Sequence, residues 1–217
     1  MKIVPTLLCK KPKEFYDYHA QLDFANWIHV DIMDGEFVRN KSVKLVDLPG
    51  LKASTKKREV HLMVKNPEYY MTAVKQAGFF RVIIHFESFK AIAKLRSVTL
   101  DYRKQGLDVL LAINPDTDLN AIEKVKGLFT GILFMGVNPG FEGQNLLPSV
   151  VDKARKLKKS SPSLLLQLDG GVNIENLIIC KGLFDIVNVG SFLKKENTPL
   201  VQFKKMLEVS EGEIKRS

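Results

Sequence analysis

The sequence predicts a (β/α)8 barrel (TIM barrel), and three observations lead to this prediction. Short runs of apolar and β-branched residues recur at fairly even intervals along the 217-residue chain. Most of these runs are continuously apolar, which is typical of parallel strands covered on both faces. Helix-like segments lie between them, which favours a barrel of strand–helix units. A doubly wound open sheet is the alternative, but that fold does not usually need eight such units.

Eight runs qualify as strands because they are short, apolar and bounded by polar or turn-forming residues. In chain order, the predicted strands cover residues 2–8, 27–31, 58–63, 81–86, 108–113, 131–135, 164–168 and 186–189.

Six segments between or after these strands predict helices. They cover residues 66–77, 90–105, 119–126, 147–160, 174–181 and 200–208. Pro67 suits a first helical position, and Gly106 is a good stop after the second segment. Asp118 and Asn173 precede two other segments and are residue types that cap helix N-termini.

The eight units account for the whole chain, so the sequence predicts a single domain over residues 1–217. No linker rich in proline or serine divides it. The last residues, 211–217, are polar, and we expect them to form a frayed tail.

The chain has 33 basic and 24 acidic residues, a net charge of +9. This balance is compatible with nucleic acid, an anionic membrane surface or a small anionic ligand. No apolar stretch is long enough to span a membrane. The densest basic patch lies on the predicted helix 147–160 without interleaved aromatic residues, which favours a solvated helix face over nucleic-acid binding. Its residues are Lys153, Arg155, Lys156, Lys158 and Lys159. Only two cysteines are present, so we expect a reducing, cytoplasmic compartment.

Chemistry in such barrels sits where the strands end, and polar residues there are candidates for function. His29 and Asp31 are two residues apart on the second strand and therefore share a face. His61 lies near the end of the third strand, and Asp169 follows the seventh. Two imidazoles and two carboxylates suit one divalent ion of zinc, iron, manganese or cobalt better than calcium. For any single residue, a structural histidine or a simple Asp-Gly turn is the alternative.

Glycine-rich turns follow the sixth, seventh and eighth strands, at residues 138–144, 169–171 and 190–191. Glycine lets backbone N–H groups approach an anion, and barrels commonly bind phosphate at the last loops. The sequence therefore predicts a phosphate site, with ordinary tight turns as the alternative. Methionines also lie at or just beyond strand ends. They either fill the core or form an apolar lining of the site over a planar reaction intermediate. They are Met33, Met63 and Met135.

Several of these segments resemble the ribulose-phosphate 3-epimerase family. The longest are WIHVDIMDG at residues 27–35 and MGVNPGFEGQ at residues 135–144. Shorter matches are PTLL at 5–8, VHLM at 60–63 with Asn66-Pro67, DGG at 169–171 and Gly190-Ser191. They occur in the family's order and cover nearly the whole chain.

The resemblance implies a (β/α)8 enzyme that interconverts D-ribulose 5-phosphate and D-xylulose 5-phosphate, in the pentose phosphate pathway. It implies a metal held by the His29, Asp31, His61 and Asp169 set, with the two aspartates as the acid/base pair. Residues expected to contact the sugar phosphate are Thr6, Met33, His61, Met63, Met135, Gly140, Phe141, Glu142, Gly143, Gly170, Gly171, Gly190 and Ser191. The family also suggests a homo-oligomer, a dimer or hexamer.

The chain departs from the family pattern at six positions. They are Thr6 for serine, Glu36 and Arg39 after the MDG turn, Glu59 for aspartate, Gly136 for serine or threonine, and Glu142 for glycine in the phosphate turn. These differences bear on the substrate more than on the reaction. A 3-epimerase for allulose 6-phosphate and a catalytically silent sugar-phosphate-binding barrel remain alternatives.

Overall fold

The computed structural model describes residues 1–48, 51, 55–195 and 198–212. Eight parallel strands follow one another in chain order and close into a barrel. Closure joins β1 to β8 over four residue pairs, from Lys2↔Ile186 to Pro5↔Val189. The (β/α)8 prediction is confirmed, and the open-sheet alternative is wrong because the first and last strands pair.

The strands agree with the predicted runs to within two residues at their ends. They are β1 Lys2–Leu7, β2 Trp27–Met33, β3 Lys57–Met63, β4 Arg81–His85, β5 Asp108–Ile113, β6 Gly131–Met135, β7 Leu165–Asp169 and β8 Ile186–Val189. β2 continues two residues beyond the prediction because Ile32 and Met33 still pair with Leu62 and Met63 of β3.

The α-helices of the described residues include two that the sequence did not predict, α1 and the short α7. They are α1 Pro12–Gln21, α2 Met71–Gln76, α3 Ile92–Lys104, α4 Leu119–Glu123, α5 Pro148–Ser160, α6 Ile174–Cys180, α7 Ser191–Lys194 and α8 Pro199–Glu211. In α1, only Phe15 and Tyr18 are buried, so the apolar stripe is too narrow to see among charged residues. The predicted segment 66–77 begins as a 3-10 turn, Pro67–Tyr70, before α2.

Both predicted helix caps are present. Asp118 accepts a hydrogen bond from the backbone N–H of Asn120, at 3.0 Å. Asn173 and Asn176 form a reciprocal capping box at the start of α6, with distances of 3.0 and 2.9 Å. The predicted tail 211–217 lies mostly outside the described residues. Within it, Glu211 ends α8 and Gly212 follows with a φ of 87°.

Two layers of side chains pack against the sheet. The outer layer joins the strands to the helices in one apolar cluster. Inside the barrel, one side carries an apolar cluster of Ile83, Leu110, Ala112, Leu133 and Met135, which come from β4, β5 and β6. The opposite interior side, on β2, β3, β7 and β8, carries buried polar side chains. The barrel interior is therefore divided into an apolar plug and a polar half.

Glu59 organises that polar half. Its side chain is fully buried and accepts hydrogen bonds from three strands. The donors are His29 Nδ1 at 2.7 Å, Arg81 at 3.2 Å and Gln167 Nε2 at 2.5 Å. Arg81 also donates to Asp108 at 2.7 Å. A buried carboxylate is tolerated only with partners of this kind, because removing it from water is costly.

The basic patch on α5 is paired largely within the fold. Lys153 donates to the backbone oxygen of Thr117 at 2.9 Å, and Arg155 donates to Asp152 at 3.0 Å. Lys158 donates to Asp185 at 3.1 Å. None of the helices in the described part of the chain combines the length and apolar character needed to cross a membrane.

The first prediction concerns Glu59. Replacing Glu59 by alanine removes the buried acceptor of His29 Nδ1, one of the two acceptors of Gln167 and one partner of Arg81. We expect the free energy of unfolding to fall by about 3–5 kcal/mol, the usual cost of breaking a buried ion pair. Urea denaturation followed by circular dichroism measures it.

The matched control is Asp17→Asn, which breaks the exposed ion pair of Lys13 and Asp17. An exposed pair contributes little, so this variant should change the free energy of unfolding by less than about 1 kcal/mol. Equal losses for the two variants would show that the Glu59 network does not stabilise the barrel.

Candidate active site

The four predicted metal ligands converge at one end of the barrel. One ligand atom from each of His29, Asp31, His61 and Asp169 lies within 4.8 Å of the others. Asp31 Oδ1 is 3.2 Å from His29 Nε2 and 3.0 Å from His61 Nδ1. Asp169 Oδ2 is 3.3 Å from His61 Nδ1 and 3.9 Å from His29 Nε2. We call this set the two-His two-Asp cluster.

The donor set and spacing fit a divalent metal ion. Ligand atoms about 2.1 Å from an ion at tetrahedral angles lie about 3.4 Å apart. The four histidine–aspartate separations, from 3.0 to 3.9 Å, bracket that value, and all six pairwise separations lie within 4.8 Å. Nitrogen and carboxylate oxygen together suit zinc and the transition metals.

The protonation of the cluster in the absence of a metal follows from its contacts. Burial alone would lower the pKa of His29, but its hydrogen bonds to Asp31 and Glu59 raise that pKa well above its usual value. Burial likewise opposes charge on His61, and Asp169 and Asp31 raise its pKa. Despite burial, hydrogen bonds from His29 and His61 hold the pKa of Asp31 well below its usual range. A divalent ion can replace these imidazole protons as the positive charge between the carboxylates.

Each histidine of the cluster is oriented through its other ring nitrogen. His29 turns Nε2 to the cluster and places Nδ1 2.7 Å from Glu59. His61 turns Nδ1 to the cluster and places Nε2 2.9 Å from Nε2 of His85. His85 Nδ1 lies 3.2 Å from Glu87. Hydrogen-bonded partners behind the ligands are typical of histidines that bind metals.

The tautomers of the His61 contacts follow from the same geometry. Burial lowers the pKa of His85, so we assign it as neutral, with its proton on Nδ1 and donated to Glu87. Its Nε2 then accepts from His61, which leaves Nδ1 of His61 free to face the cluster. Burial opposes charge on Glu87, but the hydrogen bond from His85 holds the pKa of Glu87 below its usual value.

A cavity that is open to solvent lies over the cluster. Asp31 and Asp169 line this cavity and are 6% and 7% exposed. His29 and His61 are fully buried beneath them and do not line it. The two carboxylates are thus the members of the cluster that a ligand in the cavity can touch.

The structure brings the other predicted substrate-contacting residues to the same cavity, with His61 as the exception. Those that line it are Thr6, Met33, Met63, Met135, Gly140, Phe141, Glu142, Gly143, Gly170, Gly171, Gly190 and Ser191. The three methionines are at most 5% exposed, so they both fill the core and form the cavity wall. The Thr6 hydroxyl is buried and has no hydrogen-bond partner within the described ranges.

The glycine turns also line the cavity. Gly170 and Gly171 both have positive φ, 95° and 75°, directly after Asp169. A Cβ at Gly171 would lie 2.4 Å from the backbone nitrogen of Leu146, so a side chain does not fit. The turn containing Gly140 is tied down by Asn40, which donates to the Gly140 oxygen at 2.9 Å.

The departures from the family pattern lie in different surroundings. Glu36 and Arg39 are exposed and do not line the cavity. Gly136 has a packing reason, because a Cβ there would lie 2.2 Å from the oxygen of Gly170. Glu142 lines the cavity, and its carboxylate pairs with Lys194.

Sequence reasoning missed several residues that support the site. Asn188 lines the cavity and accepts from Gln167 at 2.9 Å. A polar residue inside the otherwise apolar strand β8 was the available signal. His85 stood on a predicted strand, yet nothing in the sequence connected it to His61. Lys194 gave no signal, because its partner Glu142 is 52 positions away.

Fold and site together define a (β/α)8 barrel with a candidate divalent-metal site and two accessible carboxylates at the carboxyl ends of its strands. The chain belongs to the ribulose-phosphate 3 epimerase family, whose model matches residues 2–192. It is 32% identical to a ribulose-phosphate 3-epimerase of Mycobacterium leprae over 180 residues, covering 81% of this chain and 79% of that protein.

Other relatives support the family assignment, and a solved structure supports the fold. A ribulose-phosphate 3-epimerase of Chlamydia muridarum is 32% identical over 203 residues, covering 87% of this chain and 84% of the relative. One from Synechocystis is 36% identical, covering 70% and 68%. A tryptophan synthase alpha-subunit from Pyrococcus furiosus superimposes with a TM-score of 0.72 over 97% of this chain and 98% of its own. At 16% identity, that likeness concerns the fold alone.

The second prediction concerns His85. Replacing it by alanine removes the acceptor that orients His61, so we expect metal affinity to fall about 10- to 100-fold. Competition of the apoprotein with a chromophoric chelator for Zn²⁺ or Co²⁺ measures it. The control is His19→Ala on α1, which should leave the affinity unchanged. Unchanged affinity in the His85 variant would mean that His61 is held by the barrel packing alone.

Proposed function

We propose that the protein epimerises a ketose phosphate at C3 with a divalent metal ion, and that its substrate pair is D-ribulose 5-phosphate and D-xylulose 5-phosphate. The observation that carries this proposal is the exposure pattern of the cluster. Its two imidazoles are sealed beneath the cavity, while its two carboxylates reach it from strands on different sides. Family membership supports the same reaction.

Inversion at C3 needs two proton-transfer groups. The C3 proton leaves one face of the sugar, the charge moves to the C2 carbonyl as an enediolate, and a proton returns to the other face. Asp31 on β2 and Asp169 on β7 are separated by β1 and β8 around the barrel. One carboxylate takes the C3 proton while the other, protonated, delivers its own, and the roles exchange in the reverse direction.

His29, Asp31, His61 and Asp169 would hold the metal. When bound, a divalent ion supplies Lewis-acid stabilisation of the negative charge that develops on the sugar oxygens. The cluster itself keeps both carboxylates oriented toward the cavity. Zinc, iron, manganese and cobalt all fit this donor set.

The remaining cavity residues position the sugar. The unpartnered Thr6 hydroxyl is available to a sugar hydroxyl, and forming that bond would satisfy a buried polar group. The methionine wall covers the planar intermediate with apolar atoms and keeps water away from it. Glycine turns at Gly140–Gly143, Gly170, Gly171, Gly190 and Ser191 would bind the phosphate group and align C3 with the carboxylates.

The setting of the reaction is part of the same proposal. A ketose phosphate epimerase of this kind would work in the cytoplasm, in the pentose phosphate pathway, on a small-molecule substrate and without nucleic acid or membrane. We also propose one domain and a homo-oligomer, a dimer or hexamer.

The third prediction separates the two carboxylates. Asp31→Asn and Asp169→Asn should each lower epimerisation by about 10²–10⁴-fold, because each removes one acid/base group. In deuterated water, each variant should still exchange the C3 hydrogen of one sugar epimer and not of the other. The remaining aspartate reaches only one face. Mass spectrometry of each sugar measures the exchange.

Asp152→Asn, an exposed carboxylate on α5, is the control and should keep full activity. If the metal-loaded wild type introduces no deuterium at C3 of either pentulose phosphate, the proposed function is wrong. Parallel assays with allulose 6-phosphate test the six-carbon alternative. Binding of sugar phosphate without any exchange would indicate the catalytically silent barrel.

A further inference from the structure

We call the part of the cavity lined by the glycine turns, where phosphate is expected, the phosphate end. This phosphate end contains a negatively charged side chain. Glu142 stands in the turn after β6, and its side chain points into the cavity rather than away from it. Its Oε1 lies 3.0 Å from the position that a Cβ on Gly190 would occupy. The carboxylate therefore lies against the glycine turn at which the phosphate is expected.

Lys194 is the counter-ion of that carboxylate. Its Nζ lies 2.9 and 2.8 Å from the two oxygens of Glu142. The same Nζ donates to the backbone oxygen of Leu8 at 3.2 Å and lies 5.2 Å from the centre of the Tyr18 ring. Leu8 and Tyr18 belong to the other end of the chain, so they hold the ammonium group independently of Glu142.

The two partners therefore differ in how firmly they are placed. Glu142 is held by Lys194 and stands beside Gly143, which has a φ of 83°. Its neighbour Phe141 is 60% exposed, so the turn has open space on its outer side. About a third of each charged side chain is exposed, so the carboxylate borders solvent.

We propose that Glu142 is an internal anion that competes with the substrate phosphate for Lys194 and the Gly190 turn. An entering phosphate displaces the carboxylate, and Lys194 then pairs with the phosphate. Glu142 is thus a specificity-determining residue, because only a strongly anionic group can take its place, and it weakens phosphate binding for the substrate itself. This inference rests on the phosphate end of the proposed function.

Inorganic phosphate is the probe, because it fills the subsite without requiring turnover. Its dissociation constant is measured by isothermal titration calorimetry on the metal-loaded, full-length protein. Glu142→Gln keeps the shape and removes the charge, and it should bind phosphate about tenfold more tightly than the wild type. Glu142→Gly should shift affinity in the same direction. Lys194→Gln should bind phosphate about tenfold more weakly.

The matched control is Glu36→Gln. Glu36 also pairs with a lysine, Lys65, at 3.2 Å, and it does not line the cavity. Its loss removes the same charge, so a general electrostatic effect would tighten phosphate binding equally in both variants and would overturn the proposal. Thermal unfolding confirms that each variant is folded.

The direction of the change separates competition from a structural role. If the Glu142 carboxylate merely orders the turn, both Glu142 variants bind phosphate more weakly or equally, and the proposal is wrong. In kinetics with D-ribulose 5-phosphate, Glu142→Gln should lower KM about tenfold, whereas the control Glu36→Gln should leave KM unchanged.

The two proposals fail in different ways. A wild type without C3 exchange removes the epimerase proposal, while the phosphate titration still reports on Glu142. If the wild type epimerises but the Glu142 variants do not bind phosphate more tightly, only the proposal that Glu142 competes with phosphate is wrong.

Discussion

Closure of the sheet between β1 and β8 is the constraint on which the site depends. The two-His two-Asp cluster draws its residues from β2, β3 and β7, and β7 meets β2 only across the closed barrel. In an open sheet, Asp169 and Asp31 would lie on strands far from each other. Parallel strands also place all their carboxyl ends on one rim, so the cavity and the glycine turns form there together.

Burying the charged groups of the polar half is possible because they are hydrogen-bonded to one another across neighbouring strands. Glu59 precedes His61 by two residues on β3, and its carboxylate connects His29 to Arg81 and Gln167. His85 at the end of the next strand, backed by Glu87 in the turn that follows it, does the same for His61. The apolar plug from β4, β5 and β6 fills the other half of the interior. Within the barrel, stability and ligand orientation thus rest on the same hydrogen bonds.

The net charge of +9 does not indicate which ligand binds, whereas the contacts of individual charged residues do. Lysines and arginines of the α5 patch are engaged with neighbouring acidic and carbonyl groups. Lys194 holds the carboxylate of Glu142, and Glu142 itself lines the cavity. On the proposal made above, affinity for an anion at the phosphate end depends on this ion pair and on the glycine turns, rather than on the charge of the whole chain.

The sequence by itself determined the order of the strands, the helix caps and the residue types at the rim, because these depend on short-range patterns. The spacing of His29 and Asp31 placed them on one face of a strand, and continuous apolar runs indicated a doubly covered sheet. Only the tertiary structure decided that His85 orients His61 and that Glu142 turns toward Lys194. Each of these contacts joins residues from separate strand–helix units, and the distance between their side chains is set by barrel closure, which no local pattern records.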